Sequence, residues 1–198
     1  MLDQAGPGSL VAFRGISGVQ PLWRAANPLP GRFNTAGRRP TQYLCLHPQG
    51  PMAELLRHQP LAAAAPDQVR RSIFVVRLGM PLLAVSFAAA RRLGITAAAL
   101  VGDDYAPCQA WVEELLERRP GLAGIRVPSA ALPGTDNVVL FGPATPIGYD
   151  SLPRRPEYLP CAVVAVDGRP PADLDAEVHP VGAARPHPAL AAFLGARS

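Results

Sequence analysis

Short runs of strand-forming residues, each closed within a few positions by Pro or Gly, alternate along this chain with single helical segments. That alternation restricts the chain to a mixed sheet carrying helices. Thr41 to Leu46 (TQYLCL) and Ile73 to Leu78 (IFVVRL) have the length and residue types of strands. Leu122 to Val127 and Asn137 to Phe141 read as two more around a Pro/Gly turn, Cys161 to Val166 as a further one, and Leu10 to Phe13 as a short strand or anchor. Pro51-Met52 opens a helix through His58, with Pro in the first turn where a missing N–H costs nothing. Pro107 to Arg119 is a second helix, with Pro at its start, apolar residues at helical spacing and Arg in its last turn. Pro81 to Leu93 fits either a helix or a strand followed by a short Arg-bearing helix. Pro188 to Leu194 is a short amphipathic stretch, and Pro21 to Asn34 a loop flanked by extended pieces. The expected fold is α+β: one mixed-sheet domain over 20–148, preceded by a segment 1–19 and followed by an irregular C-terminal extension, 149–198, packed on the same domain.

A chain of 198 residues with 48% hydrophobic and only 17% charged residues can bury a sizeable core. All 19 basic residues are Arg, and the net charge of +4 suits an anionic ligand or an acidic partner. The Arg pairs, from Arg38-Arg39 to Arg154-Arg155, are dispersed and no aromatic platform lies between them, so no nucleic-acid partner is expected. The three Cys (Cys45, Cys108, Cys161) are far apart, which supports neither a disulfide framework nor a zinc site, and no metal is expected. No uncharged run approaches the ~20 apolar residues that span a bilayer, and no leader pattern opens the chain. The reading is a cytoplasmic protein with no membrane partner.

Four local features could carry chemistry. Trp23-Arg24 followed by Gly31-Arg32-Phe33-Asn34 puts two guanidinium groups in one loop region, where they could clamp a pyrophosphate. Two solvated or carboxylate-paired Arg are the plainer alternative. Tyr43 on a strand and Glu54 on the following helix can reach the same end of the sheet. There a ring could stack on a heterocycle, and a carboxylate could hold a ribose and steady an oxocarbenium-like centre. Equally, Tyr43 could be a half-buried strand residue and Glu54 a favourable anion near a helix N-terminus. Ser129, in Val127-Pro128-Ser129-Ala130, ends a strand where its hydroxyl can meet a ligand or serve a turn. Asn137 starts the next strand and reads by default as a structural hydrogen-bonding residue. Asp103-Asp104 sits in a turn after Gly102, and His47, His58, His179 and His187 show no metal spacing and read as surface or loop residues.

Taken in order, Trp23-Arg24, GRFN (Gly31 to Asn34), Gly37, Tyr43-Leu44, AELLRH (Ala53 to His58), VPSA (Val127 to Ala130) and NVVLF (Asn137 to Phe141) resemble the RES domain over roughly residues 20 to 145. That family comprises NAD-degrading toxins of bacterial toxin–antitoxin pairs. Phe33 stands where the family commonly has Trp, and LFGPATP replaces its usual Asn-Pro-His-Pro-like run. The resemblance implies a fold related to ADP-ribosyltransferase toxins and removal of nicotinamide from NAD by hydrolysis or phosphorolysis. Carried over by motif, Arg24 and Arg32 would bind the phosphates and orient the nicotinamide ribose. Tyr43 would stack on nicotinamide or its ribose, and Glu54 would hold the ribose hydroxyls and stabilise the oxocarbenium-like centre. Ser129 would hydrogen-bond nicotinamide or the adjoining ribose, with Asn34 and Asn137 in support. The implied substrate is NAD, without a metal, and the implied partner a small Xre-type antitoxin covering the active site. The same residues could instead serve mono-ADP-ribosylation of a protein, or a RES-like binding module that has lost catalysis.

Overall fold

The computed structural model describes residues 10–16, 26–62, 68–142 and 160–196. Seven strands form one mixed sheet: β1 (Leu10–Ile16), β2 (Thr41–Cys45), β3 (Arg71–Leu78), β4 (Leu83–Ala84), β5 (Gly124–Pro128), β6 (Asp136–Phe141) and β7 (Pro160–Gly168). Their order across the sheet is β4-β5-β6-β2-β1-β3-β7. β4 and β5 run parallel, and every other neighbouring pair is antiparallel. The helices are α1 (Gly50–Ala62), α2 (Phe87–Ala90), α3 (Ala97–Val101), α4 (Ala106–Arg118), α5 (Leu174–Glu177) and α6 (Pro188–Gly195). The α+β mixed-sheet expectation therefore holds.

Local chemistry explains the elements. Pro81 to Leu93 follows the second of its two readings, with β4 leading into α2 and a 3-10 turn over Arg91–Leu93. Ser86 caps α2 by accepting from the Ala89 N–H, and Thr96 caps α3 by accepting from the Ala99 N–H. α3 itself has no distinct signal in the sequence, because five small and aliphatic residues (AAALV) are too few to show a helical period. α1 begins two residues earlier and ends four residues later than Met52 to His58. β7 lies within 149–198 and pairs with β3, while β1 lies within 1–19 and is flanked by β2 and β3.

Side chains alternate between the two faces of each strand, and directly paired residues share a face. Ala12, Leu44, Val76, Leu78, Val138 and Leu140 gather into one apolar cluster. Val139, between two members of that set, points the other way with Val85, Ile125 and Val127. There it meets Leu100 of α3 and Cys108, Trp111, Val112 and Leu115 of α4. A third cluster joins Met52, Ala53 and Leu56 of α1 to Ile73, Ala131, Leu132 and Leu174.

Close strand packing leaves no room for a side chain at Gly124, where a Cβ would sit 2.5 Å from the Val139 carbonyl oxygen. Gly124→Ala is expected to cost about 1–3 kcal/mol, the range of an overpacked core position. Chemical denaturation reads this directly, and an unchanged midpoint would contradict the tight β5–β6 approach.

Candidate active site

Across the middle of the sheet, Phe13, Cys45, Asn137 and Val127 form one directly paired row. The next row on that face contains Tyr43 and Val139. Over these rows lies a cavity of about 610 Å³, large enough for a nucleotide-sized ligand. Its helical wall is α1, which contributes Pro51, Glu54, Leu55 and His58. Their spacing of three, four and seven residues is that of a single helix face. Glu54 thus faces the sheet, and the Asn137 side-chain amide donates to its Oε1 at 2.7 Å. The bond holds one carboxylate oxygen and leaves the other for a ligand.

A tight turn supplies a further wall. The Gly31 N–H donates to the Asn34 carbonyl and the Asn34 N–H to that of Gly31, at 3.0 and 3.3 Å. Arg32 and Phe33 form the tip of this turn, and Gln109 of α4 anchors it by donating to the Gly31 carbonyl at 2.8 Å. The Tyr43 hydroxyl donates to Asn34 Oδ1 at 2.8 Å and accepts from the Phe33 N–H at 2.9 Å. A Cβ at Gly31 would sit 2.6 Å from that hydroxyl, so the close approach requires glycine. Burial pushes the Tyr43 phenol far above its ordinary value, with the bond from Phe33 opposing, so it stays a neutral donor. Phe33 itself is buried with the residues of α3 and α4.

Arg32 reaches from the turn to the end of α3, donating to the carbonyls of Ala99 and Gly102. Its guanidinium lies 4.6 Å from the centre of the Tyr105 ring, a cation–π arrangement. Arg14 and Arg71 also line the cavity. Burial pulls Arg14 down to about 10, which leaves it charged at neutral pH. Its guanidinium donates to the Tyr43 carbonyl. Asp103 is engaged twice, by Arg57 Nη2 at 2.6 Å and by the Gly182 N–H at 2.8 Å. Arg57 is 1% exposed and also donates to the carbonyls of Ala130 and His179, at 2.8 and 2.6 Å. Among the described residues, no group of three or more His, Cys, Asp or Glu is placed to hold a metal ion.

Of the residues singled out from sequence, Arg32, Tyr43, Glu54 and Asn137 converge on the cavity. Asn34 lies behind Tyr43 and holds its hydroxyl. Ser129 is 1% exposed, and its Oγ accepts from the N–H groups of Ala131 and Leu132, at 3.3 and 3.1 Å. Its neighbours Pro128 and Ala130 line the wall instead. Arg24 lies outside the described residues. Among the cavity residues that sequence reasoning passes over are Arg14, His58, Asp103 and Tyr105. For His58 a signal existed, since it follows Glu54 by four residues on the same predicted helix. The other three depend on long-range packing.

An α+β sheet whose central rows, helix face and turn tip enclose a largely apolar cavity with a few convergent charged and polar groups defines the class of this protein. The RES domain family model matches residues 11–160, most of the chain, and the chain belongs to the RES domain family. A chain of the crystal structure of the M. tuberculosis MbcT–MbcA toxin–antitoxin complex shares the fold, with a TM-score of 0.65. It is 21% identical, over 86% of this chain and 90% of that one. Among curated proteins none matches the sequence. No described helix is long and apolar enough to cross a membrane.

Two measurements test this geometry. Tyr43→Phe removes the acceptor of the buried Phe33 N–H and should cost about 1–3 kcal/mol by denaturant titration, because a buried donor is left unpaired. The second concerns His187, 4% exposed, whose ring lies edge-on to His179 at 5.0 Å. Burial, with His179 adding to it, pushes His187 down to about 4. The unfolded chain takes up this proton near pH 6.5 and the folded chain only near 4. Stability should therefore fall as pH drops through that window, and His187→Phe should flatten the fall. An identical pH slope in the variant would refute the assignment.

Proposed function

We propose that this chain is the toxin of a toxin–antitoxin pair and splits NAD at the nicotinamide–ribose bond. Membership of the RES domain family and the fold shared with a chain of a toxin–antitoxin complex support the reading. The observation that carries it is Glu54, facing a cavity of about 610 Å³ with one carboxylate oxygen fixed by Asn137. In this reading the second oxygen of Glu54 holds the ribose hydroxyls and opposes the positive charge that grows on the ribose carbon. Arg32, with Arg24, takes the pyrophosphate, and the ring of Tyr43 stacks on nicotinamide or its ribose. Asn34 acts through Tyr43, and Ser129 through the backbone that carries Pro128 and Ala130.

Chemically the step needs little proton transfer on the leaving side. As the C–N bond breaks, its electron pair passes to the pyridinium nitrogen and nicotinamide departs neutral. Positioning and electrostatic stabilisation can supply most of the acceleration. Water or phosphate completes the reaction at the ribose carbon. The partner in this proposal is a small Xre-type antitoxin covering the cavity, and the substrate places the activity in the cytoplasm.

Nicotinamide release from NAD, measured with and without phosphate beside Glu54→Gln, tests the reading. The variant keeps size and loses charge, so a loss of at least ~100-fold is expected, the scale of one strong transition-state contact. Equal release from the variant would remove Glu54 from the chemistry. NAD binding without release would favour a binding module, and label appearing on protein would favour ADP-ribosyl transfer.

A further inference from the structure

We propose that His58 is the general base that activates the acceptor water at this site, with the Tyr105 hydroxyl as its orienting partner. The proposal rests on the NAD-splitting reading above and adds to it the group that receives the acceptor's proton. On α1, His58 follows Glu54 by four residues, so its imidazole stands beside the carboxylate on the helix face that fronts the cavity. Its Nε2 lies 3.5 Å from the Tyr105 hydroxyl, the outer limit of a hydrogen bond. Tyr105 is itself held in place by its ring, against which the Arg32 guanidinium packs.

The other titratable groups of the cavity are unsuited to this task. Asp103 is engaged by Arg57 and by the Gly182 N–H. Glu54 is fixed at one oxygen by Asn137 and is needed at the ribose. Burial pushes the phenols of Tyr43 and Tyr105 and the thiol of Cys45 upward, so they hold their protons. The arginines are cations without a lone pair to offer. Among the described residues lining the cavity, His58 alone offers an uncharged nitrogen acceptor at neutral pH. Burial pulls it below the ordinary imidazole value. Arg57 and Arg32 add to the pull, while Glu54 and Asp103 oppose it.

The step balances without a further reagent. Water oxygen bonds to the ribose carbon as the C–N bond is lost, nicotinamide keeps the electron pair of that bond, and one water proton passes to His58. The imidazolium then returns the proton to solvent, with the Glu54 and Asp103 carboxylates nearby to offset its charge in the interval.

A base of this kind matters for water but not for an acceptor anion that has no proton to lose. The test is a competition in phosphate-free buffer containing azide, with ADP-ribose and the azide adduct of ADP-ribose quantified by chromatography. The ratio of the two products is read within one reaction, so a smaller folded fraction in a variant cancels. For His58→Gln and His58→Asn the ratio of hydrolysis to azide capture should fall about 100-fold, the lower end of general-base contributions. In the unaltered protein the same ratio should fall as pH drops below neutral and His58 becomes protonated. Tyr105→Phe should move the ratio in the same direction by less, since its ring still packs on Arg32. A ratio unchanged in both His58 variants and flat with pH overturns the proposal, as does nicotinamide release that yields azide adduct but no ADP-ribose. Absence of nicotinamide release under every condition is a different result, and it removes the NAD-splitting reading itself.

Discussion

A single buried guanidinium ties the parts of this molecule together. Arg57 leaves α1 and reaches the carbonyl of Ala130 after β5, the carbonyl of His179 in the C-terminal segment and the carboxylate of Asp103 beyond α3. Its own carbonyl accepts from the Val181 N–H at 3.0 Å. Three stretches distant in sequence are thereby tied to α1 through one residue. Burial pulls the Arg57 pKa down, with Arg32 adding to it and Asp103 and Glu54 countering it. Such a group is tolerated because both of its terminal nitrogens meet acceptors, Nη1 at two carbonyls and Nη2 at the Asp103 carboxylate. It sits three residues from Glu54 and one from His58, so the network that closes the fold also sets the helix face lining the cavity.

Strand parity does the complementary work on the sheet. Within β6, Val138 and Leu140 serve the apolar cluster on one face, while Asn137 and Val139 serve the cavity face. A slip of one residue would exchange the two sets and bury the amide of Asn137 among Leu and Val. The site therefore depends on the same registry that packs the core. On the far wall, Gly31 and Asn34 form a turn so close that only glycine fits against the Tyr43 hydroxyl. Arg32 is delivered by that turn to the carbonyls at the end of α3, whose partial negative charge suits a cation.

Electrostatically, the cavity divides its labour. Arg14, Arg32 and Arg71 leave it attractive to an anionic ligand. The charge of Asp103 is met by Arg57, while the hydrogen bond that fixes Glu54 comes from the neutral amide of Asn137. A carboxylate arranged in this way is free to respond to positive charge appearing on a bound molecule, and that property links the geometry to the proposed chemistry.

The division between what sequence and tertiary structure decide follows from the range of the forces involved. β2, β3 and α4 were legible because strand composition, Pro placement and helical periodicity are local properties of a few neighbouring residues. The ordered motifs from GRFN to NVVLF pointed to the RES domain family, and Arg32, Tyr43, Glu54 and Asn137 do meet in one cavity. No local signal, by contrast, tells that Asn137 binds Glu54 across 83 residues, or that Tyr105 sits against Arg32. Nor does the sequence say that Ser129 turns its hydroxyl to the backbone N–H groups of Ala131 and Leu132. Asp103 and His58 read as turn and surface residues until Arg57 and the Gly182 N–H engage Asp103 and the face of α1 brings His58 to the cavity. By itself the sequence determined the longer strands and helices and the family they belong to, since both are written in short-range pattern. Only the tertiary structure decided which polar groups face the same cavity, because that depends on strand register and on one buried arginine joining distant segments.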